Sequence, residues 1–291
     1  MALKRLNDLK KRAAVSLVMI LVLVSLIVFS QIALVKIALL TFTVLLGVTG
    51  IWEYVQLLRA KDLQPNLSLM VVLSIFVLSA LYIGHHAAGM LQLPLLILIF
   101  GVIASLIIHL KDHRDALLHV AVELFGVFYI IVPLGLLLAI IYPSSNGLSF
   151  VQDGRWWFFY LIVVTKITDV GAFFVGRLWG KTKLATFISP KKTVEGAVAG
   201  LVCAVLASIG FYYLGKNYSA GLFNLSFGSS LCLGLLIGVL GQLGDLAESM
   251  LKRDAVVKDS NKLPGLGGIL DTIDSLLFTI PILYFFLFLH S

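Results

Sequence analysis

Charge is what this chain has least of. Asp, Glu, Lys and Arg make up 13% of its 291 residues, against 60% for the hydrophobic types. Soluble proteins are ordinarily ~45–50% apolar, and a globule of this length has no interior large enough for the excess. The composition therefore excludes a soluble enzyme, and several apolar runs reach the ~18–20 residues that cross a bilayer. A polytopic membrane protein is expected. Cysteine is scarcer still: Cys203 and Cys232 each fall inside an apolar run. Two such thiols supply neither a metal-ligand spacing nor a disulfide framework, and read as small buried apolar residues. A polar, basic, aromatic-laced region is missing too, so a net charge of +7 does not point to nucleic acid. There is no convincing internal repeat and no low-complexity linker. The first apolar run lacks a small-residue cleavage site, so a retained first span is expected rather than a removed leader.

What is present is a succession of apolar segments. They predict an all-α fold of about nine transmembrane helices, at 13–35, 37–58, 67–83, 91–110, 120–142, 156–175, 193–214, 228–251 and 269–289. With the N-terminus in the cytosol, 18 of the 22 Lys and Arg fall in inner segments and 3 in outer ones, the asymmetry of a multi-pass protein of the cytoplasmic membrane. Spans 1–5 (1–154) carry few acids, Glu53 and Glu123; spans 6–9 (155–291) carry Asp169, Glu195, Asp245, Glu248, Asp271 and Asp274. Chemistry is accordingly expected in the second half, in a polar cavity facing the cytosol. Glu53 is expected to snorkel at the end of its span. His85 and His86 read as a surface loop, and His109, His113 and His119 have no metal-binding spacing.

Ionisable residues inside spans are costly and face a partner or a cavity. Lys166 and Asp169 stand at i, i+3, as an internal ion pair or as substrate contacts, and Gly171 and Gly176 permit close helix approach. A basic loop follows, with Arg177, Lys181 and Lys183, and then Ser189-Pro190-Lys191-Lys192-Thr193-Val194-Glu195-Gly196. Cations beside a fresh helix N-terminus, with Ser189 and Thr193 as possible N-caps, suit a nucleoside triphosphate. In the stretch 241–275, Asp245, Glu248, Ser249 and Lys252 share one helix face. A polar loop holds Lys258, Asp259 and Lys262, and Asp271 and Asp274 share the face of the helix that follows. Two acidic helix ends with lysines between them suit a Mg²⁺–phosphate site, because Mg²⁺ takes one or two carboxylates and completes its shell with phosphate oxygens.

The run Ser249-Met250-Leu251-Lys252-Arg253, then Lys258-Asp259-Ser260, Leu263-Pro264-Gly265, Gly267-Gly268-Ile269-Leu270-Asp271 and Ile273-Asp274-Ser275 resembles the signature of the phosphatidate cytidylyltransferases, also called CDP-diacylglycerol synthases. The Asp169–Arg177 and Ser189–Gly196 segments resemble two further blocks of that family in the same order. The resemblance runs from Thr165 to the C-terminus; before it, the chain is similar only in being hydrophobic and multi-span. Two departures stand out. Leu266 replaces a histidine of many members, which excludes a catalytic histidine there. Thr272 replaces an arginine, which either weakens one phosphate contact or leaves it to Lys262, and the loop before Pro264 is one residue shorter.

The resemblance implies that CTP and phosphatidic acid give CDP-diacylglycerol and diphosphate. It implies Mg²⁺, with a second cation such as K⁺ beside it, on Asp245, Asp271 and Asp274. Lys258 would contact phosphate, with Asp259 orienting Lys258 or a metal-bound water. Lys191, Lys192 and Thr193, with Ser189, Glu195, Arg177 and Asp169, would form the CTP side. Lys252, Arg253 and Lys262 would meet the lipid phosphate or the diphosphate, and Glu248 and Ser249 complete the signature. Expected partners are CTP, phosphatidic acid and membrane lipids, with a homodimer left open. Two other readings stand beside this one. A CTP-dependent lipid kinase would release CDP. A cation-coupled transporter would use the intramembrane acids, but the lysine density and the lack of inverted broken-helix repeats count against it.

Overall fold

The computed structural model describes residues 24–86, 92–110, 115–143, 153–256 and 268–290. The fold is nearly all helical. A helical turn at 24–28 leads through a turn at 29–32 into α1 (Ala33–Arg59). There follow α2 (Leu67–His86), α3 (Leu93–His109), α4 (Ala116–Ile141), α5 (Gly154–Trp179), α6 (Val194–Tyr218), α7 (Phe227–Asp254) and α8 (Ile269–Leu289). Six of these, α1 and α4 to α8, are long and apolar enough to cross a membrane; the apolar lengths of α2 and α3 are shorter. Large apolar side chains such as Leu34, Phe100, Phe128, Phe173, Leu206 and Phe285 point outward, as hydrocarbon solvent permits and water does not.

The sequence reading needs correction in several places. The expected span 13–35 lies largely outside the described residues, and its end is a turn at 29–32. Lys36, read as the turn itself, is already inside α1, with its ammonium 5.5 Å from the Tyr142 ring centroid. The helix α2 runs on through His86, where a loop was expected. The expected loop 176–192 is not irregular either. After α5 ends, β1 (Lys183–Ala185) and β2 (Ser189–Thr193) pair antiparallel, with Lys183 opposite Thr193 and Ala185 opposite Ser189. Ser189 is thus a strand residue, and Thr193 alone is the N-cap of α6, its Oγ1 accepting from the Gly196 N–H at 3.2 Å. Cys232 is exposed and Cys203 half-buried, so neither belongs to the deep core.

Three apolar cores organise the described helices, and α8 enters two of them. Leu270, Ile273 and Leu277 pack with Ile51, Tyr54, Met70 and Ile130 of the first half. One to two turns on, Ile280, Leu283 and Leu287 pack with Trp157, Tyr160, Leu161 and Phe211 of the second. The start of α5 is fixed by Asp153, whose carboxylate accepts the Arg155 backbone N–H at 2.9 Å and pairs with its guanidinium. Partial burial pushes that carboxyl up, but the Arg155 hydrogen bonds outweigh it and hold it below the usual carboxylate range.

Within α4 the α-helical ladder gives way to a π turn at Val127–Ile131. Pro133 supplies the cause. A proline ring clashes with the carbonyl four residues earlier, here that of Tyr129, and offers that carbonyl no N–H. Widening the turn relieves both problems.

Candidate active site

Close contact between α7 and α8 brings their acidic faces together. A Cβ on Gly244 would lie 2.6 Å from the Asp274 carbonyl oxygen and 3.1 Å from the Ser275 Cα, so only glycine fits. Gly244→Ala is expected to force the two helices apart and to lower turnover more than tenfold with a modest loss of thermal stability. Steady-state rates and a melting curve on one preparation check this.

At this contact Lys252 of α7 bridges two carboxylates. Its ammonium lies 2.5 Å from Glu248 Oε2 and also pairs with Asp271 of α8. Glu248 is buried, and the second oxygen of Asp271 accepts the Gly268 N–H at 3.3 Å. Asp274 is 6% exposed and accepts the Ser275 N–H at 2.5 Å. Asp245 forms an ion pair of 2.7 Å with Lys192 of β2. From α5, Lys166 lies 3.8 Å from Asp169 and donates to the Thr272 carbonyl at 3.2 Å. The expected pair is therefore formed and also ties α5 to α8. Three helices and one strand thus converge on an alternating array of acids and lysines.

The β-hairpin is held over α7 by two links, the Lys192–Asp245 pair and a 3.1 Å hydrogen bond from Arg253 Nε to the Ile188 carbonyl. At its base the Glu195 carboxylate accepts the Thr182 N–H at 3.0 and 3.2 Å. Glu195 thus clasps the hairpin, and Thr193 caps a helix; both shape the strand that presents Lys192. Lys191 is exposed, Ser189 is half-buried, and Arg177 lies exposed 5.9 Å from the Phe173 ring. Ser249 is half-buried on α7. Lys258, Asp259, Lys262 and Leu266 lie outside the described residues.

Glu53 overturns the expectation that it snorkels. It is fully buried, and its carboxylate accepts the N–H groups of Ile269 and Leu270 at 2.9 Å each. A residue of the first half therefore fixes the first turn of the helix that carries Asp271. The signal was present in the sequence. A helix starting Gly268-Ile269-Leu270 has no Ser, Thr, Asp or Asn at its N-cap, so its free N–H groups need an acceptor from elsewhere.

Two other features flank this region. Glu123 is buried and accepts from the Asn66 N–H at 2.7 Å and Ser105 Oγ at 2.5 Å, with His109 Nε2 at 3.1 Å. A cavity of about 510 Å³ lies between α1, α4 and the end of α7, lined by Tyr54, Leu57, Val122, Phe125 and Leu251 among others. Lys61 and Asp254, which also line it, form an exposed ion pair of 2.5 Å.

The donor chemistry suits a hard cation, since every acid here offers only carboxylate oxygen and burial makes positive charge necessary. In the geometry described, lysines provide that charge, and no three acids or imidazoles among the described residues stand close enough to hold a metal ion together. Asp245 and Asp271 offer the oxygen donors a divalent ion takes, but are engaged by Lys192 and Lys252, with which such an ion would compete.

Known proteins are similar to this chain in sequence over nearly its whole length. The profile of the Cytidylyltransferase family matches residues 10–290. A phosphatidate cytidylyltransferase of Chlamydia pneumoniae is 36% identical over 291 residues, covering 97% of this chain and 92% of that protein. One of Bacillus subtilis is 33% identical over 289 residues, covering 98% and 99%. One of Synechocystis is 35% identical over 263 residues, covering 82% and 85%.

Proposed function

Because the chain belongs to the cytidylyltransferase family, we propose that it transfers the cytidylyl group of CTP to phosphatidate, giving CDP-diacylglycerol and diphosphate. A phosphate oxygen of the lipid attacks the α-phosphorus of CTP, the bond from that phosphorus to the bridging oxygen of the β-phosphate breaks, and diphosphate leaves with the electron pair. The nucleophile is already an anion, so no strong general base is required. The barrier is repulsion between two anions, and catalysis consists of positioning and charge neutralisation. The observation that carries this reading is Lys252 bridging Glu248 and Asp271 across α7 and α8, with Glu248 about one helical turn from Asp245 of the Lys192–Asp245 pair.

Asp245, Asp271 and Asp274 would hold Mg²⁺, with a second cation such as K⁺ beside it; when bound, Mg²⁺ neutralises charge on the reacting phosphates. Lys191 and Lys192 on the hairpin, with Ser189 and Arg177 beside them, meet the triphosphate. Thr193, Glu195 and Asp169 set the shape and charge of that wall. Lys252, Arg253 and Lys262 meet the lipid phosphate or the departing diphosphate. Lys258 contacts phosphate and Asp259 orients it. The site opens to the cytosol from a nine-span protein of the cytoplasmic membrane, with its N-terminus inside.

Purified protein in detergent is expected to release diphosphate only when CTP, Mg²⁺ and phosphatidate are all present. CDP as the nucleotide product identifies a lipid kinase instead and overturns the proposal.

A further inference from the structure

Tyr129 sits in the π turn of α4, the one such turn among the described residues. Its ring is held on two sides. It stacks on Phe125 at 5.5 Å with a 15° interplanar angle, and meets Phe278 of α8 edge-on at 6.1 Å and 77°. Phe278 lies one turn beyond Asp274 on the same helix. The hydroxyl is shielded from solvent and has no hydrogen-bond partner. Through Phe278 the ring lies against α8 one turn from the residue that carries the Asp274 carboxylate.

These facts combine unusually. A buried hydroxyl without a partner is rare in folded proteins and calls for an explanation. The π turn is a second departure at the same residue. One extra residue in a helical turn rotates each later side chain by about 100° relative to an uninterrupted helix, so the turn that Pro133 imposes fixes where Tyr129 points. Phe125 and Phe278 then lock the ring. The result is a rigid, solvent-shielded O–H donor, packed on α8 one turn from Asp274, that donates to no group among the described residues.

We propose that the Tyr129 hydroxyl donates a hydrogen bond to a phosphate oxygen of the bound substrates, as a further catalytic residue of this site. The proposal rests on the cytidylyltransferase reading. A donor of this kind suits the reaction, because negative charge moves onto phosphate oxygens as the diphosphate departs. A pre-set donor in a dry site stabilises that charge without reorganising. Being neutral, the hydroxyl adds a contact without the desolvation cost of another buried cation.

The test uses the full chain in detergent with CTP, Mg²⁺ and phosphatidate. Tyr129→Phe keeps both ring contacts and removes only the O–H. It is expected to lower kcat by about 10- to 100-fold, within the range for loss of one such donor, at an unchanged or raised melting temperature. Pro133→Ala removes the cause of the π turn. It is expected to lower kcat by a similar factor without loss of melting temperature, and Tyr129→Phe added to it is expected to cost little more. Wild-type kcat and KM in Tyr129→Phe overturn the proposal. So does a parallel loss of activity and melting temperature, which makes the hydroxyl a packing group. Absence of CTP-dependent lipid product in the wild type instead overturns the underlying reading, so the two failures are distinguishable.

Discussion

Asp274→Asn is expected to lower turnover about 10³-fold, the scale on which a lost metal ligand or a preorganised electrostatic contact acts, while leaving the protein as stable as the wild type or more so. Asn fills the same space, so the close approach of α7 and α8 at Gly244 is untouched. The Ser275 N–H keeps an oxygen acceptor in the side-chain amide. What disappears is a negative charge that is 6% exposed. Removing a buried charge favours folding, so activity and stability move in opposite directions. Asp254→Asn is the control: its pair with Lys61 is exposed and is worth about 0–1 kcal/mol, so both readouts stay near wild type. Initial rates with labelled CTP and a thermal melt check the pair of variants. Wild-type turnover in Asp274→Asn removes Asp274 from the metal-binding residues and leaves Asp271 as the one ligand from α8.

Glu53→Ala carries the largest expected effect on stability. It strips the carboxylate acceptors from two N–H groups at the start of α8, those of Ile269 and Leu270. A buried unsatisfied N–H costs about 1–3 kcal/mol, so a loss of about 3 kcal/mol is expected on this account. Glu53→Gln keeps one acceptor oxygen and is expected to fall between alanine and wild type. Both variants should also lose activity, because the turn that Glu53 secures carries Asp271 and receives the Lys252 bridge. Denaturation in mild detergent, followed by helical circular dichroism, ranks the three proteins. Equal stability of alanine variant and wild type means that the cap contributes nothing.

The helical class and the positions of α5 to α8 were legible because apolar length and flanking charge determine them. The gathering of Asp245, Glu248, Lys252, Asp271 and Asp274 was legible for a similar reason. Helical spacing places them on faces near adjoining helix ends, and a short connection keeps those helices neighbours. The hairpin was not legible, since a Lys-rich segment with a proline carries little strand signal; tertiary ties through Lys192 and Arg253 accompany it. Glu53 was misread because its partner is more than 200 residues away and the rule for lone acids near span ends favours water. The π turn left one mark, Pro133, which by itself allows a kink, a widened turn or a break. Long-range polar partners and local helix defects depend on packing that a single chain's periodicity does not encode.

The central claim, that this site moves a cytidylyl group rather than a terminal phosphate, is tested most directly with CTP labelled in either the α- or the γ-phosphate. The protein is incubated with phosphatidate across a Mg²⁺ titration. The account predicts that α-label enters the lipid, that γ-label appears in diphosphate, and that both transfers vanish without Mg²⁺. Label from the γ-position in the lipid, or incorporation that ignores the metal, contradicts it.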